Sequence, residues 1–143
     1  MDGKITGDGI MIYKNGDRYD GYWLDAVFQG NGKYTWSNGD TYSGDFKLGR
    51  RHGRGTHTMV KTDQIGRVEW YYMYEGDYQE DARHGYGSLK EVRGPGDVEG
   101  VRYIEYNGTW ENDVFHGKGR LLIFDSKLKL IKYEEHDGSF KHG

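Results

Sequence analysis

Apolar and polar residues alternate with a period of two over much of this chain, and glycine interrupts the alternation at regular places. Tyr42, Gly44 and Phe46 fall on one parity, with Ser43 and Asp45 on the other, and Tyr106, Gly108 and Trp110 repeat the rule. In the following segment Gly117, Gly119, Leu121 and Ile123 alternate with Lys118 and Arg120. A period of two sends successive side chains to opposite faces of a β-strand, so each strand has an aromatic face and a polar one. Glycines on the aromatic face leave room for rings to lie flat, which predicts that rings on one strand cover glycines on its neighbour. Outward positions in the longer segments, namely Val101, Tyr103, Leu122 and Phe124, are less polar than this scheme requires. They mark either a second apolar surface or a slipped register.

The alternation is organised into repeats. A phrase Tyr-x-Gly-x-aromatic occurs at Tyr19, Gly21, Trp23; at Tyr42, Gly44, Phe46; at Tyr74, Gly76, Tyr78; and at Tyr106, Gly108, Trp110, with a degenerate copy at His136, Gly138, Phe140. In the four full copies a second phrase, Gly-x-Gly, begins seven residues after the last aromatic, at Gly30, Gly53, Gly85 and Gly117. Self-similarity at periods of roughly 20 to 50 residues denotes one supersecondary unit stacked on copies of itself. Tyr19 to Tyr42 is 23 residues, whereas Tyr42 to Tyr74 and Tyr74 to Tyr106 are each 32. The added residues follow Gly-x-Gly and include strand-forming runs such as 68–74 and 121–124, so they lengthen a hairpin arm.

Turns are expected where the alternation breaks. The polar stretches 47–52 and 111–116 separate the two phrases, and Asn15-Gly16-Asp17 and Asn38-Gly39-Asp40 read as tight hairpins because Asn-Gly tolerates positive φ. The lengthened arms predict further turns near Gln64-Ile65-Gly66 and Gly94-Pro95-Gly96.

These phrases, with Asn-Gly-Asp preceding the next tyrosine, resemble the MORN repeat, the membrane occupation and recognition nexus motif. The likeness is strongest over residues 7–55 and departs after Thr56, where the units carry nine extra residues. It implies an all-β fold: a single elongated, twisted antiparallel sheet of stacked hairpins that binds proteins, associates with itself or touches membrane lipid, and has no catalytic activity of its own. The expected organisation is one array over 1–143, with a half repeat at 7–18, repeats at 19–41, 42–73, 74–105 and 106–135, and a half repeat at 136–143. Both ends fall inside a repeat, which favours a fragment of a longer protein.

Composition narrows the function. The chain has 143 residues, 24 of them glycine and 13 tyrosine, with a formal net charge of -3 and no cysteine. Near-neutral charge argues against nucleic acid as a partner, and the lack of thiols fits a reducing cytoplasmic compartment, including its membrane or cytoskeletal periphery. No apolar run reaches the ~18 residues of a spanning helix. No nucleophile elbow, phosphate loop, zinc-protease motif or dinucleotide fingerprint is present, so no enzyme and no cofactor is expected. Glu134 and Glu135 are adjacent in a strand and therefore face apart. His52, His84 and His116 recur every 32 residues. Equivalent positions in stacked repeats lie roughly 10 Å apart, too far to share a metal ion. These histidines read as turn residues packing on neighbouring repeats, and His136 as a degenerate core position.

Three readings of the surface follow. In the first, the chain is a scaffold or adaptor that binds a peptide or helix through Trp70, Tyr72, Tyr103 and Phe124, whose apolar exposure the repeat does not demand. The second is a membrane tether meeting phosphoinositides with Arg50, Arg51, Arg54, Lys127 and Lys129, offset by nearby acidic residues. In the third, open strand edges drive self-assembly into a homo-oligomer.

Overall fold

The computed structural model describes residues 6–66, 68–93, 101–125, 127 and 129–140. The strands are β1 Gly7–Ile12, β2 Arg18–Leu24, β3 Val27–Thr35, β4 Thr41–Lys47, β5 Arg50–Thr62, β6 Val68–Gln79, β7 Ala82–Arg93, β8 Val101–Glu111, β9 Val114–Asp125 and β10 Leu130–Phe140. They form one 10-stranded antiparallel sheet in sequence order, each strand hydrogen-bonded to its neighbours in the chain. The residues that lengthen the later repeats extend the strands, as expected: β5 has 13 residues where β4 has 7. The turn expected at Gly94-Pro95-Gly96 and the side chain of His136 lie outside the described residues.

The repeat is explained by one interruption of the ladder. Between the pairs Gly76↔Gly87 and Tyr78↔Arg83 the second strand has three residues where the first has one, and the same shift follows Gly21, Gly44 and Gly108. The surplus residues include the first glycine of each Gly-x-Gly, and Gly30, Gly53, Gly85 and Gly117 all have φ between 70° and 96°. Such bulges favour glycine because a left-handed φ costs it nothing. The skipped residues, Tyr22, Asp45, Asp77 and Thr109, have carbonyls that accept hydrogen bonds from the hydroxyls of Tyr19, Tyr42, Tyr74 and Tyr106 at 2.8–2.9 Å. To reach that carbonyl each tyrosine lies flat across the second glycine of the neighbouring strand. A Cβ on Gly87 would clash with the Tyr74 side chain, closest to its hydroxyl oxygen, and Gly32, Gly55 and Gly119 are covered in the same way. Tyrosine, bulge glycine and covered glycine are thus one device.

The core is a single layer of rings on this front face. Tyr19, Tyr42, Tyr74 and Tyr106 are fully buried. Edge-to-face contacts run between repeats through Tyr19–Phe46, Tyr42–Tyr78 and Tyr74–Trp110 at 5.3–5.4 Å. Each such contact contributes about 0.5–1.5 kcal/mol beyond area burial. Burial pushes the Tyr19 hydroxyl up to about 12 and the hydroxyls of Tyr42, Tyr74 and Tyr78 upward as well, so all remain protonated at neutral pH.

Turns fall at each described place where the sequence predicts them, 64–66 included, but which of them are tight differs from the expectation. The tight two-residue turns are Asp25-Ala26, Leu48-Gly49, Glu80-Asp81 and Asn112-Asp113, with both residues at positive φ. Strand resumes at Arg50, so the polar stretch 47–52 is mostly strand and not turn. The Asn-Gly sites instead form a longer loop in which Gly16 and Gly39 adopt positive φ, closed by Tyr13 N–H to Asp17 O and by Trp36 N–H to Asp40 O. Asp17 is buried there and accepts hydrogen bonds from Tyr34 Oη at 2.7 Å and Ser37 N at 2.8 Å, tying one loop to the next. Chiefly the bond from Tyr34 holds its carboxyl below the ordinary carboxylate range.

Candidate interaction surface

Among the described residues no second layer covers either face of the sheet, so the side chains on each face define what the molecule can meet. On the front face one position per repeat decides the local chemistry. Phe28 and Phe115 lie parallel on Tyr19 and Tyr106, with ring centroids 3.9 and 4.0 Å apart. At the equivalent register positions stand Arg51 and Arg83. The Arg51 guanidinium lies 5.1 Å from the Tyr78 ring, and that of Arg83 lies 4.4 Å from Trp110. Planar guanidinium replaces phenyl because it too can stack on a ring face.

Each arginine is held by the turn of the following hairpin. Arg51 donates from Nε to Asp81 Oδ1 at 3.3 Å and from Nη2 to the Asp81 carbonyl at 2.8 Å. Arg83 does the same with Asp113, at 3.1 and 2.8 Å, and its Nη1 also donates to Tyr72 Oη at 2.9 Å. The backbone joins in, since Asp81 N–H donates to the Arg51 carbonyl and Asp113 N–H to that of Arg83.

Two depressions lie between these rows. One, of about 210 Å³, is lined by Phe28, Tyr34, Trp36, Tyr42, Phe46 and Gly49, and ends at Arg51 and Asp81. The next, of about 230 Å³, lies between Arg51 and Arg83 and is lined by His57, Met59, Tyr72, Tyr78 and Asp113. His57 contacts Trp36 and Tyr72, with ring centroids 5.2 and 5.9 Å away. Burial first, then Arg51, lowers its pKa to about 4, so the folded protein keeps this imidazole neutral. The unfolded chain takes up that proton near pH 6.5, so stability present above 6.5 is lost as pH falls from there toward 4. Sister repeats carry Leu89 and Leu121 at this position. His57→Leu is therefore expected to flatten the dependence of the thermal midpoint on pH between about 6.5 and 4. Melts across that range check this, and an unchanged slope would assign the dependence elsewhere.

On the back face, register aligns one apolar residue per strand: Val60, Tyr71, Val92, Tyr103, Phe124 and Leu130. Val60 and Leu130 are 41% and 48% exposed. Of the less polar outward residues foreseen in the long arms, Tyr103 and Phe124 lie in this second apolar row, and the register is not slipped there, while the side chain of Val101 lies outside the described residues.

The four residues expected to contact a partner do not share a face. Tyr103 and Phe124 pair across the back, 5.6 Å apart. Trp70 and Tyr72 stack on the front at 5.8 Å. Tyr72, expected to be exposed, is only 8% exposed and belongs to the core. The lengthened arm carries the front-face parity two residues beyond Tyr74, so Tyr72 packs where the short repeats have no strand. The lipid residues are also divided. Arg51 is engaged on the front face, while Arg54 reaches Asp77 on the back at 3.2 Å. Arg50 begins β5 beside the Leu48-Gly49 turn, whereas Lys127 and Lys129 occupy the β9–β10 turn and donate backbone N–H to Asp125. Successive turns lie at opposite ends of the strands, so about 40 Å of 12-residue strand separates the two basic groups. Arg51 and Arg83, as occupants of the ring-covering position, were not recognisable as a pair from sequence. Their equivalence to Phe28 and Phe115 was the available signal.

His84 Nδ1 accepts from Asn112 N–H of the next repeat at 3.4 Å, and His116 meets Glu111 at 3.1 Å. Among the described residues no His, Asp and Glu cluster is arranged to hold a metal, and no helix is long and apolar enough to cross a membrane.

A one-layer array of near-identical hairpins, with side chains presented on both faces, defines a repeat protein of the interaction-module class. Comparison with family models matches the MORN repeat at residues 1–18, 19–41, 42–62, 74–90 and 106–125, more than half of the chain. The chain belongs to the MORN-repeat family, whose repeats are generally non-catalytic modules for protein or membrane interaction. No curated protein matches it.

Proposed function

We propose that this chain is a non-catalytic scaffold that binds protein partners on the uncovered faces of its sheet and acts in the cytoplasm. The observation that carries this reading is the single layer: strands pair only with sequence neighbours, so neither the ring-lined front nor the apolar back row is closed off by the described residues. Aromatic side chains give contact area at small entropic cost and dominate interface energetics. Tyr103 and Phe124 offer such area on the back, and Trp70 on the front, with Tyr72 contributing its hydroxyl edge. The division of the basic residues between opposite ends and faces disfavours a lipid surface, which needs clustered cations.

The test compares proteins retained by the immobilised chain with those retained by Tyr103→Lys/Phe124→Lys and by Trp70→Ser, each checked for an unchanged thermal midpoint. The scaffold reading expects a defined set of proteins to be lost with at least one variant. Retention unaffected by all of them, together with phosphoinositide vesicle binding that fades between about 50 and 150 mM salt, would replace it with membrane tethering.

A further inference from the structure

The depression between Arg51 and Arg83 contains a group that the fold does not use. Tyr78 is 4% exposed, and its hydroxyl oxygen is buried without a hydrogen-bond partner. Sister repeats place Trp23, Phe46 and Trp110 here. Phe46 brings no hydroxyl, and the two tryptophans donate Nε1–H to the carbonyls of Gly9 and Gly87, both at 3.2 Å. Phenylalanine would fill the Tyr78 site equally well, whereas a buried hydroxyl without a partner is costly to keep.

Further donors belong to residues that line the same depression. Tyr72 Oη accepts from Arg83 Nη1, which leaves its own proton to donate. Arg51 commits Nε and Nη2 to Asp81, and its Nη1 has no partner among the described residues. The Tyr78 hydroxyl, the Tyr72 hydroxyl and Arg51 Nη1 therefore form a donor-rich pocket, with neutral His57 beside it. We propose that this pocket receives the carboxylate of an acidic side chain on an extended segment of a protein partner, an inference that rests on the scaffold reading.

Charge decides the class of acceptor. Asp81 and Asp113 already balance the two guanidiniums. One added negative charge gains the hydroxyl and guanidinium hydrogen bonds, while a multiply charged phosphate meets both aspartates at close range. The ring-lined depression around Phe28, Trp36 and Phe46 adjoins through the shared Arg51. Equivalent points in successive hairpins are two strand spacings apart, about 10 Å, which an extended chain covers in about three residues. The segment therefore carries an apolar residue at one position and an acidic residue three positions later.

The test titrates the full chain with two synthetic peptides, one with a Leu-Gly-Ser-Glu core and one with Leu-Gly-Ser-Gln. Binding is followed by the NMR resonances of the arginine Nε–H groups and by tryptophan fluorescence. The Glu peptide is expected to bind about tenfold more tightly than the Gln peptide, with Arg51 and Arg83 shifting. Tyr78→Phe should erase that preference without lowering the thermal midpoint. Arg51→Phe should do the same in a folded protein, because Phe28 and Phe115 occupy this position in sister repeats. Equal binding of the two peptides, or a preference that survives Tyr78→Phe, overturns the carboxylate site while leaving the scaffold reading intact. The same holds if neither peptide shifts these resonances up to about 5 mM. Acetate matching the Glu peptide would show a small-molecule site. Stronger displacement by a soluble phosphoinositide headgroup would overturn both the carboxylate site and the scaffold reading.

Discussion

Gly108→Val is expected to lower the thermal midpoint by about 10 °C, corresponding to a loss of about 3 kcal/mol. A Cβ at this position would stand 2.6 Å from the Tyr106 hydroxyl and still closer to the Gly119 Cα and the Lys118 carbonyl. Two of those three neighbours are backbone, which cannot rotate away, so the strands must separate at the bulge. Separation breaks the Tyr106 bond to the Thr109 carbonyl and lifts the ring from Gly119. Gly39→Ala is the contrasting control, since a Cβ there meets nothing within 4 Å and only the positive φ is strained. A thermal midpoint for Gly108→Val as high as that of the wild type would show that the two strands are not held as close as this packing requires.

Tyr74→Ala is expected to cost about 4 kcal/mol. The ring is fully buried, meets Tyr78 at 5.2 Å and Trp110 at 5.3 Å, and covers Gly87. Among the described residues no second layer can collapse into the space, so water enters at the junction of β6, β7 and β8. Stability in such an array is a sum of repeat and nearest-neighbour contributions. The loss should therefore concentrate there, and amide hydrogen exchange should accelerate around Gly76 and Gly87 well before it does in β2 and β3. Tyr74→Phe separates the ring from its hydroxyl and should cost only about 1 kcal/mol, the value of its bond to the Asp77 carbonyl. Uniform exchange across all strands in Tyr74→Ala would mean that the sheet unfolds as one unit.

Both predictions concern parts of the molecule that were legible in the sequence, because they depend on parity and constant spacing. Tyr-x-Gly-x-aromatic places Tyr74, Gly76 and Tyr78 on one face, and the fixed seven-residue step brings Gly85 and Gly87 back beside them. The candidate pocket was much less legible. Tyr72 and Trp70 read as surplus aromatics on an exposed arm, yet one is core and the other partly buried, because neighbouring arms of matching length cover them. Which turns are tight was not legible for a related reason. Ala26 and Leu48 adopt positive φ against their local preference, since a two-residue connection between twisted strands requires it and the ring layer on either side stabilises that register.

By itself the sequence determined the repeat, the all-strand architecture, the ring-bearing face and the coupling of each tyrosine to a glycine. These follow from alternation and spacing within one hairpin. Tertiary structure alone decided that Arg51 and Arg83 cover rings as Phe28 and Phe115 do, that the Tyr78 hydroxyl is left without a partner, and that Tyr103 and Phe124 join an apolar row opposite to Trp70. Those relations join residues on different hairpins, and their register depends on bulges whose offset no local pattern records.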